Sequence, residues 1–126
     1  MIKGIGVDIL SRKKLDPILD DIKFLEDPFI KKTYTLLEID EALQREDTKA
    51  YFATRFAGKE AVYKALSLEG DDMKLDEIEI LTTSSGAPAV LLYGKALEVA
   101  EARGIGEVLL SLSYEDDYAV AYAVAQ

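Results

Sequence analysis

Hydrophobic and polar positions alternate at both ends of the chain and recur at helical spacing in its middle. From Ile2 to Leu10, Ile5, Val7 and Ile9 fall on one face while Gly4, Gly6 and Asp8 share the other, a period of two that predicts a strand. Toward the other end, about Glu107 to Tyr114 and Tyr118 to Ala125 read as two more strands around a turn at Glu115-Asp116-Asp117. In the last of these, Tyr118, Val120, Tyr122 and Val124 occupy one face and Ala119, Ala121, Ala123 and Ala125 the other. Neither face is polar, so both should be covered: either the strand is central and lies under a helix, or a face meets another subunit.

Between these strands the pattern lengthens. A helix is expected over about Lys13 to Leu25, with a break at Pro28. Thr35-Leu36-Leu37-Glu38 has the spacing of a capping box before a short helix, and Asp47 is placed to cap the Ala-rich stretch from Thr48 to Leu66, the strongest helical segment. Glu77 to Thr83 and Ala89 to Tyr93 flank Ser84-Ser85-Gly86 as a β-hairpin, and a helix over Lys95 to Arg103 is stopped by Gly104. With no linker, repeat or low-complexity tract, the expectation is one α+β domain over residues 1–126, a largely antiparallel sheet packed against a long central helix.

Composition narrows the chemistry. At 126 residues, with 49% hydrophobic and 31% charged side chains, the chain has the balance of a globular domain, and no apolar run reaches bilayer length. Its start lacks the pattern of a secretory signal, so a cytoplasmic setting is expected. There is no histidine and no cysteine, which removes the commonest general base and the soft metal ligands and leaves carboxylates, lysines, hydroxyls or a hard cation. The net charge of −9 argues against nucleic-acid binding. It is uneven: residues 1–64 carry 12 basic and 12 acidic side chains, residues 65–126 carry 3 and 12, so a polyanion site belongs mainly to the first half.

On a helical wheel, Phe52, Phe56, Tyr63 and Leu66 define the inward stripe, and Lys59 falls inside it. Glu60 and Lys64 lie at its rim with Ala53 and Ala57, and Gly58 weakens the helix by roughly 1 kcal/mol relative to Ala, which suggests a close approach to the backbone there. These charges are either an exposed face laced by a Glu60–Lys64 pair or groups that need a ligand. Asp8 is likewise open: it caps a loop at the strand end, or it belongs to a site. Gly4-Ile5-Gly6 is not a dinucleotide fingerprint, because the third glycine is missing.

Gly4-Ile5-Gly6-Val7-Asp8-Ile9 and the run from Arg55-Phe56-Ala57-Gly58-Lys59-Glu60 through Ala61-Val62-Tyr63-Lys64-Ala65-Leu66 resemble the two signatures of the holo-acyl-carrier-protein synthases. Gly86-Ala87-Pro88 and the segment from Leu110 to Val124 are similar to the corresponding family segments, so the likeness spans nearly the whole chain. The resemblance implies transfer of 4′-phosphopantetheine from coenzyme A to a serine of an apo acyl carrier protein, with release of 3′,5′-ADP. It implies Asp8 and Glu60 as ligands of Mg²⁺, with Asp8, Glu60 and Lys64 as the catalytic set. Lys64, Lys59 and Arg55 become candidates for phosphate contact, and a homotrimer with sites at subunit interfaces is implied. Two departures stand out. Tyr114 occupies the place where many relatives carry histidine, and the basic Arg12, Lys13 and Lys14 are soon followed by Asp16, Asp20 and Asp21. The rival reading is a non-catalytic homologue serving as a binding or assembly subunit of a fatty-acid or polyketide system.

Overall fold

The computed structural model describes residues 1–70 and 74–126. Its strands form two antiparallel sheets. In the larger, β1 (Gly4–Ser11) and β4 (Val108–Glu115) flank β5 (Tyr118–Ala125), so that Gly4 and Val108 both pair with Ala125 and Ser11 and Glu115 both pair with Tyr118. The smaller is the expected hairpin, β2 (Ile78–Thr82) and β3 (Pro88–Leu92), with Gly86 in the left-handed conformation at its turn. The strands thus divide between two sheets rather than forming one, and β3 lies beside β4 without a ladder between them.

The long helix α4 (Thr48–Ala65) begins where Asp47 accepts the Ala50 N–H at 3.0 Å, and it lies across the inner face of the larger sheet. On that face β1 and β5 present mostly small residues, and β4 adds Leu110 and Leu112 beside Gly58. Ala119, Ala121, Ala123 and Ala125 of β5 are fully buried beneath the helix. A methyl group on Gly4 would stand 1.9 Å from the Ala65 carbonyl oxygen, and one on Gly6 would stand 2.0 Å from that of Ala61. Backbone therefore rests on backbone, a contact that only glycine permits. The opposite side of α4 packs on α2 (Pro28–Thr33) and α3 (Leu36–Leu43), where Phe52 meets Tyr34 and Phe24 edge to face at 4.8 and 5.8 Å. Such pairs add about 0.5–1.5 kcal/mol each beyond their buried area. The close approach expected at Gly58 is present, since a methyl there would lie 2.7 Å from Ile80 Cδ1.

Three expectations need revision. The helix anticipated over Lys13 to Leu25 is broken into a 3₁₀ turn at Arg12–Lys14, the four-residue α1 (Asp16–Leu19) and a 3₁₀ turn at Phe24–Glu26. Pro17 starts a new turn rather than continuing one, and the Asp21 carboxylate takes the Lys23 N–H at 2.8 Å, the local side-chain competition that favours turns over helix. Ala53 and Ala57, placed at the rim of α4, are core, because the sheet closes over the side the wheel left open. And within one chain the β5 strand is covered on its alanine face only. Among the described residues no helix is long and apolar enough to cross a membrane. Helix α5 (Gly94–Ala102) completes the fold, ending near Gly104 in the left-handed conformation as expected.

Candidate active site

Because Gly4 sits over Ala65 and Gly6 over Ala61, β1 runs antiparallel to α4, one helical turn for every two strand residues. Asp8 is the next residue on that face. Its carboxylate receives the Lys64 ammonium at 3.3 Å, and the same ammonium donates to the Val7 carbonyl at 2.9 Å. The Asp8 side chain is 18% exposed and that of Lys64 52%, so the pair stands at the protein surface with a route to solvent. Lys64 pairs across to the strand instead of back along the helix to Glu60. Glu60 is half-buried, and its carboxyl is pushed above the usual carboxylate range by burial first and by the Asp8 charge second, with Lys64 pulling it down. The structure thus brings Asp8, Glu60 and Lys64 together.

Among the described residues no three acidic, histidine or cysteine side chains converge, so a cation here would have two protein carboxylates. That donor set suits Mg²⁺, which binds through one or two carboxylates and keeps water and phosphate oxygens for its remaining positions. Two carboxylates close enough for one to raise the other's pKa are a pairing that a divalent cation relieves.

Lys59 lies elsewhere. Its side chain is fully buried, and the ammonium donates to Glu38 Oε1 at 2.7 Å and to the carbonyls of Leu75 and Ile78 at 3.0 and 2.5 Å. Burial pushes the Glu38 carboxyl up and the Lys59 ammonium down, each opposed by the other's charge. A phosphate contact from Lys59 would mean dismantling this core pair, so the expectation of one is replaced by a structural role.

Arg55 is 8% exposed and occupies a second anion-seeking corner. Its guanidinium lies 4.2 Å from the centre of the Tyr51 ring and donates to Thr82 Oγ1 at 2.7 Å, while its Nε is buried without a partner. Arg45 reaches the same Thr82 hydroxyl at 2.9 Å. A cavity of about 190 Å³ opens here, lined by both arginines, Thr82, Gly86 and Tyr114. Arg12 lies over the Tyr114 ring at 5.5 Å and pairs with Asp47 at 3.2 Å. Sequence reasoning missed Arg45, Tyr51 and Thr82, since a loop, a helix and a strand end contribute them and no spacing announces their meeting. Arg55 and Lys64 are nine residues apart on α4, roughly 13 Å along its axis, so the two corners are separate features of one chain.

Residues 4–123 match the 4′-phosphopantetheinyl transferase superfamily. The holo-[acyl-carrier-protein] synthase of Alkaliphilus metalliredigens is 37% identical to this chain, the alignment covering 99% of each. Among solved structures, the holo-[acyl-carrier-protein] synthase of Neisseria meningitidis superposes with a TM-score of 0.83 at 36% identity, covering 100% of this chain and 99% of that one. An enzyme of the same type from Chronobacterium ammoniagenes, solved as its coenzyme A complex, gives 0.80 at 30% identity over 98% of this chain and 96% of that one.

Proposed function

This chain belongs to the 4′-phosphopantetheinyl transferase superfamily, and within it to the holo-[acyl-carrier-protein] synthases; on that footing we propose that it transfers 4′-phosphopantetheine from coenzyme A to a serine of an apo acyl carrier protein. The observation that carries the reading is the meeting of Asp8, Glu60 and Lys64, brought together by a strand and a helix in backbone contact. The serine oxygen attacks the phosphorus that bears pantetheine, the bond from that phosphorus to the bridging oxygen breaks, and 3′,5′-ADP leaves with the bond's electron pair.

Asp8 and Glu60 would hold Mg²⁺, which when bound supplies neutralising charge to the pyrophosphate. Lys64, half exposed beside them, meets a phosphate oxygen as a point charge. Glu60, whose carboxyl is already pushed up, accepts the serine proton directly or through a water. The Arg45–Arg55 corner, with an N–H lacking an acceptor, receives the 3′-phosphate of coenzyme A.

The reading extends to assembly. Ile5, Val7 and Ile9 of β1 are 58%, 51% and 66% exposed, and Tyr118, Val120 and Tyr122 of β5 continue the same open apolar face. Patches of this kind mark association surfaces. Copies joined through this face would form the homotrimer with interfacial sites that the family resemblance implies, with Asp8 on the opposite, α4-facing side of the same strand. Residues 1–126 act as one transferase domain in a cytoplasmic setting. Incubation with coenzyme A, Mg²⁺ and apo carrier proteins should add the mass of phosphopantetheine to a carrier; binding of coenzyme A and carrier with no mass gain on any of them would favour the non-catalytic homologue instead.

A further inference from the structure

Helix α4 meets β1 and β5 of the large sheet through small groups, the glycines of β1 and the alanines of β5, while β4 sets Leu110 and Leu112 beside Gly58. The glycine and alanine contact resists separation, because backbone and methyl groups touch along it. It offers few ridges and grooves to resist rotation of the helix about its own axis. A directional, hydrogen-bonded restraint comes from the other side. There Lys59 directs its three N–H groups to Glu38 of α3 and to the carbonyls of Leu75 and Ile78 at the entry to β2. Glu38 is held in turn, with Oε1 also accepting the Thr35 N–H at 2.9 Å and Oε2 the Ile80 N–H at 2.8 Å. One fully buried charge pair therefore ties α3, α4 and β2 at fixed angles. Apolar side chains of the same volume are often as stabilising as a buried ion pair, so what this pair adds is direction. Lys59 immediately precedes Glu60. A rotation of α4 by about 20° moves a group roughly 5–6 Å from its axis by about 2 Å, the length of a magnesium–oxygen bond.

We propose that Lys59 is a positioning residue: through Glu38 and the two carbonyls it sets the rotation of α4, and with it the separation of the Glu60 and Asp8 carboxylates. The proposal rests on the reading of those carboxylates as the holders of a divalent ion. Lys59→Met strands the Glu38 charge and is expected to destabilise the fold, so the informative variant is Lys59→Met combined with Glu38→Gln, which removes both charges. Mn²⁺ would be titrated into the coenzyme A complex and followed by electron paramagnetic resonance, alongside a thermal melt. The expected result is a melting temperature near that of the unaltered protein with Mn²⁺ affinity weakened about tenfold or more, and a KM for the carrier that does not move. Recovery of both stability and Mn²⁺ affinity would show the pair to be core filling alone and overturn the proposal. So would failure of the double variant to fold, since positioning presupposes a fold that survives without the pair. Glu60→Gln serves as the reference: if it binds Mn²⁺ as tightly as the unaltered protein, the metal reading itself is wrong and the proposal goes with it.

Discussion

Along most of β1 and β5 the two faces of the large sheet invert the usual relation between size and burial. Inside, glycine and alanine lie under α4; outside lie isoleucine, valine and tyrosine, open in the single chain, and the large inward side chains, Leu10, Leu110 and Leu112, come from the end of β1 and from β4. The glycine and alanine strip contributes little apolar area per residue, and its value is proximity, since it lets a helix and a strand come close enough for side chains of both to share a surface site. The outer face has the area and lacks a cover. One face builds the site, and the other is where the proposed assembly would form.

The largest effects should come from enlarging the inner face. Gly6→Val, whose Cβ would stand 2.0 Å from the Ala61 carbonyl oxygen, must push β1 off the helix. A loss of several kcal/mol in urea denaturation is expected, together with loss of activity; a folded and active variant would refute the backbone contact. Ala121→Glu should fail similarly, because it buries a charge under α4.

Removing charge at the edge of that contact should spare the fold. Asp8→Asn and Glu60→Gln are each expected to lower kcat/KM by roughly a hundredfold or more, about 2.7 kcal/mol of transition-state stabilisation, with the melting temperature little changed. Ordinary turnover in both would refute their roles. On the outer face, Val120→Glu should dissociate the assembly while leaving the monomer folded, as read by sedimentation and circular dichroism. If the unaltered protein sediments as a monomer at micromolar concentration, the open face is not an interface between copies.

Smaller effects are expected at the arginine corner. Arg55→Gln should raise the KM for coenzyme A about tenfold and change kcat little. Tyr114→Phe keeps the ring beside that corner and removes only the hydroxyl. A phenol is a poor base at neutral pH, so activity should stay within roughly tenfold, and a thousandfold loss in a protein that still binds coenzyme A would overturn the assignment of proton transfer to Glu60.

What the sequence made legible was local. The alternation of β1, the capping box at Thr35–Glu38, the Asp47 cap and the span of α4 all appear as read, because each depends on residues within a few positions of one another. Lys59 was placed in the apolar stripe but took its partner from α3, and the distance in sequence hid Glu38. The wheel put Ala53 and Ala57 at the rim because a wheel knows one packing partner, whereas α4 has two. The segment after β1 departs from one continuous helix for a local reason, the run Asp16-Pro17 and Asp20-Asp21, where proline and side-chain acceptors favour turns. Arg45 and Thr82 could not be joined at all before the hairpin was placed against α4.

The pairing of β1 with β5 joins Gly4 to Ala125, so the strand carrying Asp8 finds its ladder partner only in the last stretch of these residues to be synthesised. On a ribosome, β1 emerges early and must wait, with its backbone donors and acceptors unpaired, until β5 clears the exit tunnel. Closing so long a loop is the slow kind of folding event, in which distant contacts are made late. A chain lacking Tyr118 to Ala125 would leave β1 without its ladder partner and the site of Asp8 unfinished.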